Sequence, residues 1–469
     1  MKGPNSSAVT ACSEHRIAWP QDLIRRYNVS GPRYTSYPTA LSFRDLSPDE
    51  AARIMGHSDP TAPLSLYVHI PFCRHLCYYC ACNKVVTRDH SRADAYLDAL
   101  EEEMQLAATW HRQRPVTQLH WGGGTPTFLT DAQTDRLCDL LEQYFDLDAD
   151  PERREFSIEV DPRVTSVDRL EQLYKRGFNR LSLGVQDFNL ETQEAVHRIQ
   201  PFGMVSDLVD AAREIGYRSI NFDLIYGLPL QTVKRFHATL EKVIALRPDR
   251  IACYSYAHLP SRFSPQRRLI TSDLPEAETK LSILQDTVNT LQDAGYFYIG
   301  MDHFALPEDE LAKAWHDGSL QRNFQGYSTQ AETELLALGV SAISQLGNAY
   351  LQNHKDLGDY QASVEAGTPA VRGYQMTRDD EIRRHVIMRL ACQNAVQLSE
   401  MERLFGINVR LYFAREWPVL LELESDGLLK LETDHIRVTD IGRLLLRPIC
   451  MVFDAHLSDT PSNRFSRVM

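Results

Sequence analysis
Between Ser65 and Ala257, short runs rich in β-branched and aromatic residues alternate with longer stretches whose apolar residues recur every three or four positions. The runs are SLYVHI from Ser65, QLHWGG from Gln118, FSIEVD from Phe156, RLSLGV from Arg180, SINFDLIYG from Ser219 and IACYSYA from Ile251. They mostly lack the apolar and polar alternation of a sheet with one wet face, so each reads as a strand buried on both sides. Three helical stretches end on a glycine followed by an aromatic residue and a strand: KRGFNRLSLG at Gly177, REIGYRSINF at Gly216 and DAGYFYIG at Gly295. Glycine there supplies the left-handed residue that stops a helix. Strand, helix and strand at spacings of roughly 25 to 50 residues predict βαβ units, right-handed crossovers and a parallel sheet. Six such units make a partial (β/α)6 TIM-like barrel within an α/β fold, short of the eight units of a closed barrel.

The pattern changes on either side. Residues 1–60 read as an N-terminal extension, 61–369 as the barrel and 370–469 as a mainly helical C-terminal domain. In that last part TRDDEIRRHVIMRLAC, from Thr377, predicts an amphipathic helix, and DGLLKLETDHIRVTDIGRLL, from Asp426, a strand pair running into another helix. This is a winged-helix-like pattern. The extension carries Arg25, Arg26, Arg33 and the tyrosines of RYTSYPTA, and is the candidate lid.

Charge narrows the partners. With 50 basic and 63 acidic residues, the formal charge is -13, which argues against nucleic acid or an anionic membrane as a partner, since both need a basic surface. The winged-helix-like part is therefore read as a cover for the barrel and not as a DNA reader. The opening MKGPNSSAVTACSEHRIAWP has no apolar core or cleavage pattern, and no stretch approaches the roughly 18 apolar residues of a membrane span, so a cytoplasmic location is expected.

In such barrels chemistry sits at the carboxyl ends of the strands. The first strand leads into FCRHLCYYCACN, with cysteines at 73, 77, 80 and 82, while Cys12, Cys138, Cys253, Cys392 and Cys450 are scattered and read as packing residues. The second ends in GGGTP, Gly122 to Pro126, whose glycines let a ligand approach and expose amide donors. The third ends in Glu159 and Asp161, the fourth in Gln186 and Asp187, the fifth in Asp223. Any one of these polar residues is ordinary as a cap or turn; five on one rim point to a site. Two readings of the cysteine loop stand side by side. A structural zinc site draws on two separated Cys/His pairs, and no second pair of matching spacing is present. An iron-sulfur cluster draws on one compact loop, and Cys73, Cys77 and Cys80 would cap three irons of a cubane, leaving one iron open.

The C-x3-C-x2-C spacing, with Tyr79 before the third cysteine, resembles the signature of radical S-adenosylmethionine (SAM) enzymes, and GGGTP resembles their glycine motif. YVHIPFC, Cys82, LHWGGGTPT, SIEVDPR, RLSLGVQDF, DLIYGLPLQT, IGMDHFA and RNFQGYSTQ are similar to the oxygen-independent coproporphyrinogen III oxidase family, from PRYTSYPTA at Pro32 to the terminal FSRV. The resemblance implies a 4Fe-4S cluster on Cys73, Cys77 and Cys80 and two SAM molecules. Tyr67, Gly123, Glu159 and Ile343 would hold the SAM on the cluster; Tyr79, Gly124, Thr125, Gln186, Arg198, Asp223 and Ala257 would hold its neighbour. Cys82 and His69 are the candidate catalytic residues, His69 reading equally as a satisfied core histidine. The implied reaction turns two propionates of coproporphyrinogen III into vinyls, giving protoporphyrinogen IX, through a 5'-deoxyadenosyl radical. An electron donor protein such as a flavodoxin or ferredoxin, and a monomeric state, are expected with it. The competing reading is a haem-transfer chaperone of the same fold; Cys82 and GMDHFA favour the oxidase.

Overall fold
The computed structural model describes residues 19–56, 58–330 and 333–457, so Cys12 and the terminal FSRV lie outside the described residues. All six expected runs are strands: β1 Leu64–Ile70, β2 Pro115–Gly123, β3 Glu155–Val160, β4 Arg180–Gln186, β5 Ser219–Tyr226 and β6 Arg250–Ser255. Each pairs in parallel with the next in chain order. The crossovers are helices α1 Ser91–His111, α2 Asp131–Tyr144, α3 Val167–Lys175, α4 Phe202–Ile215 and α5 Val233–Leu246. Gly216 closes α4 at φ 108°, and Gly177 and Gly295 take positive φ after their helices, as the sequence predicts.

Two features exceed the expectation. A seventh parallel strand, Glu334–Leu338, pairs with the free side of β1. Beyond it lie the antiparallel strands Ile343–Leu346, Ala349–Asn353 and Ala370–Gln375, and beyond β6 lie His303–Ala305 and Phe297–Gly300. The outermost strands do not pair with each other among the described residues, so the barrel is open. Burial also alternates along β5 after all: Ile220, Phe222 and Leu224 are sealed, whereas Asn221, Asp223 and Ile225 are half-buried. The lumen holds a cavity lined by charged side chains together with Val160, Ile225, Tyr79 and Tyr254.

The C-terminal part follows its pattern. Thr377 and Asp380 form a capping box that starts the helix Arg378–Gln393; Leu429–Leu431 and His435–Val438 form the expected pair, joined by Ala395–Gln397 and followed by Asp440–Leu444. One apolar cluster runs from Ile24 to Phe453, so extension, barrel and C-terminal part share a core. The extension is pinned at both faces. Arg447 donates to the carbonyls of Gly31 and Pro32. Tyr34 Oη donates to Asp454 at 2.9 Å, and Tyr350 Oη to the Tyr37 carbonyl at 3.0 Å. The arginines of the candidate lid divide: Arg25 pairs with Glu278 and Arg26 with Asp426 on the outer surface, and only Arg33 turns inward, to Asp302 at 3.0 Å. No helix among the described residues is long and apolar enough to cross a membrane.

Candidate active site
The cysteine loop leaves β1 and lies over the carboxyl ends of β2 to β5. Cys73 and Cys77 are buried, Cys80 is half-buried and Cys82 is exposed, and all four line one cavity of about 240 Å³. Thr125 Oγ1 donates to Cys73 Sγ at 3.4 Å. Arg163 and Arg198 donate to Cys77 Sγ at 3.4 and 3.6 Å. Lys84 Nζ donates to the Cys80 and Cys82 carbonyls. The hydrogen bond from Cys82 brings the Cys80 thiol down to about 6, whereas burial carries Cys73 up to about 12. Among the described residues no three His, Cys, Asp or Glu side chains converge to hold a single metal ion. A cluster takes one thiolate per iron, and the hydroxyl donor on Cys73 and the two guanidinium donors on Cys77 suit ligated thiolates.

Gly123, Gly124, Thr125, Glu159, Asp161, Gln186, Arg198 and Asp223 line that same cavity. The glycines act differently from the expectation. Their amides are already engaged: Gly123 with Glu159 at 3.1 Å, Gly124 with the Ile70 carbonyl and Thr125 with the Phe72 carbonyl, both at 2.8 Å. What they supply is space, since a Cβ at Gly124 would stand 2.7 Å from the Pro71 backbone and one at Gly123, φ 111°, 2.5 Å from the His69 ring. That packing seats the cysteine loop on the end of β2. Burial raises the Glu159 carboxyl, but the His120 contact and the Gly123 amide outweigh it and hold it below its ordinary value. Burial, with the Glu159 charge, lifts Asp223 to about 6, although Ser182 and Asn221 donate to it at 2.9 and 3.0 Å. Despite burial, Arg198 and Arg163 hold Asp161 well below the usual carboxylate range. A bulge between Gly184 and Gln186 ends β4 and leaves Gln186 at φ 65°, turned into the cavity. Asp187 departs from the expected rim: it is buried, accepts from Gln231 and Thr239, and braces the loops behind β4.

Comparisons with known proteins identify the family. A family model described as the Radical SAM superfamily matches residues 67–243, and one described as the HemN C-terminal domain matches residues 376–445. The protein named oxygen-independent coproporphyrinogen III oxidase from Pseudomonas aeruginosa is 50% identical over 97% of this chain and 99% of its own length. Its namesake from Salmonella typhimurium is 51% identical over 97% of this chain and 100% of its own. A solved structure described as coproporphyrinogen III oxidase (HemN) from Escherichia coli, a radical SAM enzyme, matches with a TM-score of 0.90 at 49% identity, covering 94% of this chain and 100% of that one. This chain belongs to the oxygen-independent coproporphyrinogen III oxidase family. Radical SAM chemistry brings a 4Fe-4S cluster and SAM with it.

Four residues that the family resemblance marks stand outside the cavity wall: Tyr67, His69, Ala257 and Ile343. Tyr67 stacks on His120, its ring centroid 5.9 Å away, and bonds His69 Nδ1 at 3.0 Å. His69 Nε2 is 3.0 Å from the Asn83 carbonyl, which only accepts, so Nε2 carries the proton and Nδ1 accepts from Tyr67. Both nitrogens are spent, Nε2 tying β1 to the far end of the cysteine loop and Nδ1 on Tyr67 within the same strand. The Ala257 carbonyl shares Gln266 Nε2 with the Tyr79 carbonyl, and Ile343 packs beside Phe43 and Tyr350. Arg163, Lys84 and Tyr254 line the cavity without having been singled out. Arg163 had a signal, an arginine two residues beyond a strand-end aspartate. Lys84 and Tyr254 are ordinary in sequence, and only the fold brings them to the rim.

Proposed function
We propose that this chain oxidatively decarboxylates two propionates of coproporphyrinogen III to vinyls, yielding protoporphyrinogen IX, with Cys73, Cys77 and Cys80 as ligands of the 4Fe-4S cluster. The observation that carries the reading is the meeting of these three thiols with Glu159, Gln186, Arg198 and Asp223 in one cavity at the strand ends. When bound, cluster and SAM supply one-electron reduction and hydrogen-atom abstraction; the chain positions, charges and shields the reactants. Thr125, Arg163 and Arg198 steady the thiols of Cys73 and Cys77. The ionised Glu159 accepts from an amino or ribose group, Asp223 does the same, and Tyr79 offers a ring face to adenine. Two SAM molecules are held in this reading. Tyr67, Gly123, Glu159 and Ile343 serve the one on the cluster, and Tyr79, Gly124, Thr125, Gln186, Arg198, Asp223 and Ala257 serve the other. His69 acts through the cysteine loop as a positioning residue, and Cys82 borders the reacting substrate.

In this reading residues 61–369 carry out catalysis, 1–60 close over the substrate and 370–469 cover the barrel. The protein works as a cytoplasmic monomer, takes electrons from a carrier such as flavodoxin or ferredoxin, and has no nucleic-acid or membrane partner. The test is anaerobic incubation of the reconstituted protein with reductant, SAM and coproporphyrinogen III. Two equivalents of carbon dioxide and a divinyl product are expected. Tight haem binding without any vinyl product would overturn the oxidase in favour of the chaperone.

A further inference from the structure
Three sequence motifs have no part in the cavity: PRYTSYPTA near the start of the chain, IGMDHFA after β6, and RNFQGYSTQ before the seventh parallel strand. The fold brings a residue of each to one place. Arg33 Nη1 lies 3.0 Å from Asp302, and its guanidinium sits 5.8 Å from the centre of the Tyr254 ring. His303 is 5.9 Å from that ring, edge to face, and 5.1 Å from Tyr327. Arg322 lies 4.7 Å over Tyr327 and reaches back to the Arg33 carbonyl at 3.5 Å. Tyr254 itself lines the cavity of the cysteine loop. One tyrosine thus separates the reaction cavity from a nest of cations.

The charges in that nest do not balance. Arg322 is 5% exposed, and its Nε and Nη1 have no hydrogen-bond partner. Arg33, Arg443 and Arg447 share a small void of about 20 Å³ in which Asp302 is the one acidic lining residue. A buried guanidinium with unmet donors is costly, and a tyrosine face offsets only part of that cost. Fold stability alone gives no reason to keep it; an anion arriving with a ligand does. The substrate brings such anions. Two of its four propionates lose their carboxylates in the reaction, whereas the other two stay charged through both turnovers and can anchor the macrocycle throughout.

We propose that Arg33 and Arg322 form the subsite for a non-reacting propionate carboxylate, with Tyr254 as the wall between it and the reacting arm; this rests on the function proposed above. Arg33, with 32% of its side chain exposed, is the entry, and Arg322 is the buried end. Asp302 holds Arg33 in place until the carboxylate arrives. A carboxylate can accept from the unmet donors of Arg322 and exchange with Asp302 at Arg33, whose other terminal nitrogen stays on the Ser255 carbonyl.

The probes are coproporphyrin III, the stable oxidised form of the substrate, and its tetramethyl ester, titrated by fluorescence into cluster-loaded protein alongside steady-state kinetics. The wild type is expected to bind the acid at least tenfold more tightly than the ester. Arg322→Gln and Arg33→Gln are each expected to weaken acid binding and raise KM at least tenfold, leaving ester binding and the SAM-induced change in the cluster's paramagnetic signal unaltered. Arg322→Lys should recover part of the loss. Because an unbalanced charge is removed, the melting temperature of Arg322→Gln should not fall. Unchanged acid affinity in both glutamine variants would overturn the subsite, as would equal losses for acid and ester. If Arg322→Gln fails to fold, Arg322 is a structural residue and its assignment falls, while Arg33→Gln still decides that of Arg33. A wild type that forms no vinyl product refutes the function itself; a productive wild type with indifferent variants refutes only the subsite.

Discussion

Asp223 sets two demands of one side chain against each other. Its folded value of about 6 lies above the ordinary 3.8, so the stability linked to it is complete at low pH and is lost as pH rises through about 6. At neutral pH the ionised carboxylate therefore weakens the empty protein, by at most roughly 3 kcal/mol for a shift of about two units. Asp223→Asn should accordingly raise the melting temperature of SAM-free protein near pH 8 and lose that advantage near pH 4. The same variant should bind SAM more weakly, as should Glu159→Ala. Losing one buried charged hydrogen bond costs about 1.5 to 3 kcal/mol, or roughly 10- to 150-fold in affinity, and equilibrium binding to reconstituted protein measures it. The cysteines divide by position in the same way. Alanine at Cys73, Cys77 or Cys80 should abolish iron and sulfide retention, whereas Cys82→Ser, at the exposed end of the loop, should keep its iron and lose vinyl formation; iron analysis beside product chromatography separates the two outcomes.

At the scale of elements, the strand ends do what single residues cannot. The bulge ending β4 re-aims Gln186, and the glycines of β2 admit the backbone of the cysteine loop. Gly124→Ala should therefore leave the helical circular dichroism intact while lowering cluster occupancy, because its Cβ would drive against the Pro71 backbone; full iron content in that variant would show that the loop has slack. This level was partly legible in the sequence. Glu159, Gln186 and Asp223 stand out as polar residues closing apolar runs, and all three reach the cavity. Asp187 has the same signature and points elsewhere, since a bulge shifts facing by one residue without altering composition. Tyr254 and Lys84 carry no local signal, because their importance comes from contacts distant in sequence. The strand Glu334–Leu338 was missed because its five residues follow no helix stop and end in no polar residue.

Across the whole molecule, six parallel strands follow from periodicity and glycine stops, whereas the antiparallel edges and the N-terminal strap do not. Strands of three to six residues at an edge are too short to show a period. Several of the strap's contacts join residues more than 400 positions apart, as between Tyr34 and Asp454. Cutting those contacts by Tyr34→Phe with Asp454→Asn should speed proteolysis of the segment before Phe43 while leaving the barrel resistant, and mass spectrometry of the fragments checks it.

The strap also imposes an order of events on a growing chain. Gly31, Pro32 and Tyr34 leave the ribosome among the first described residues, yet their partners Arg447 and Asp454 are among the last. The cysteine loop and every strand bearing a cavity residue are therefore translated while the early segment still lacks its anchor. The strap can therefore close onto Arg447 and Asp454 only after the cysteine loop and the strands bearing the cavity residues have been made and have had time to fold.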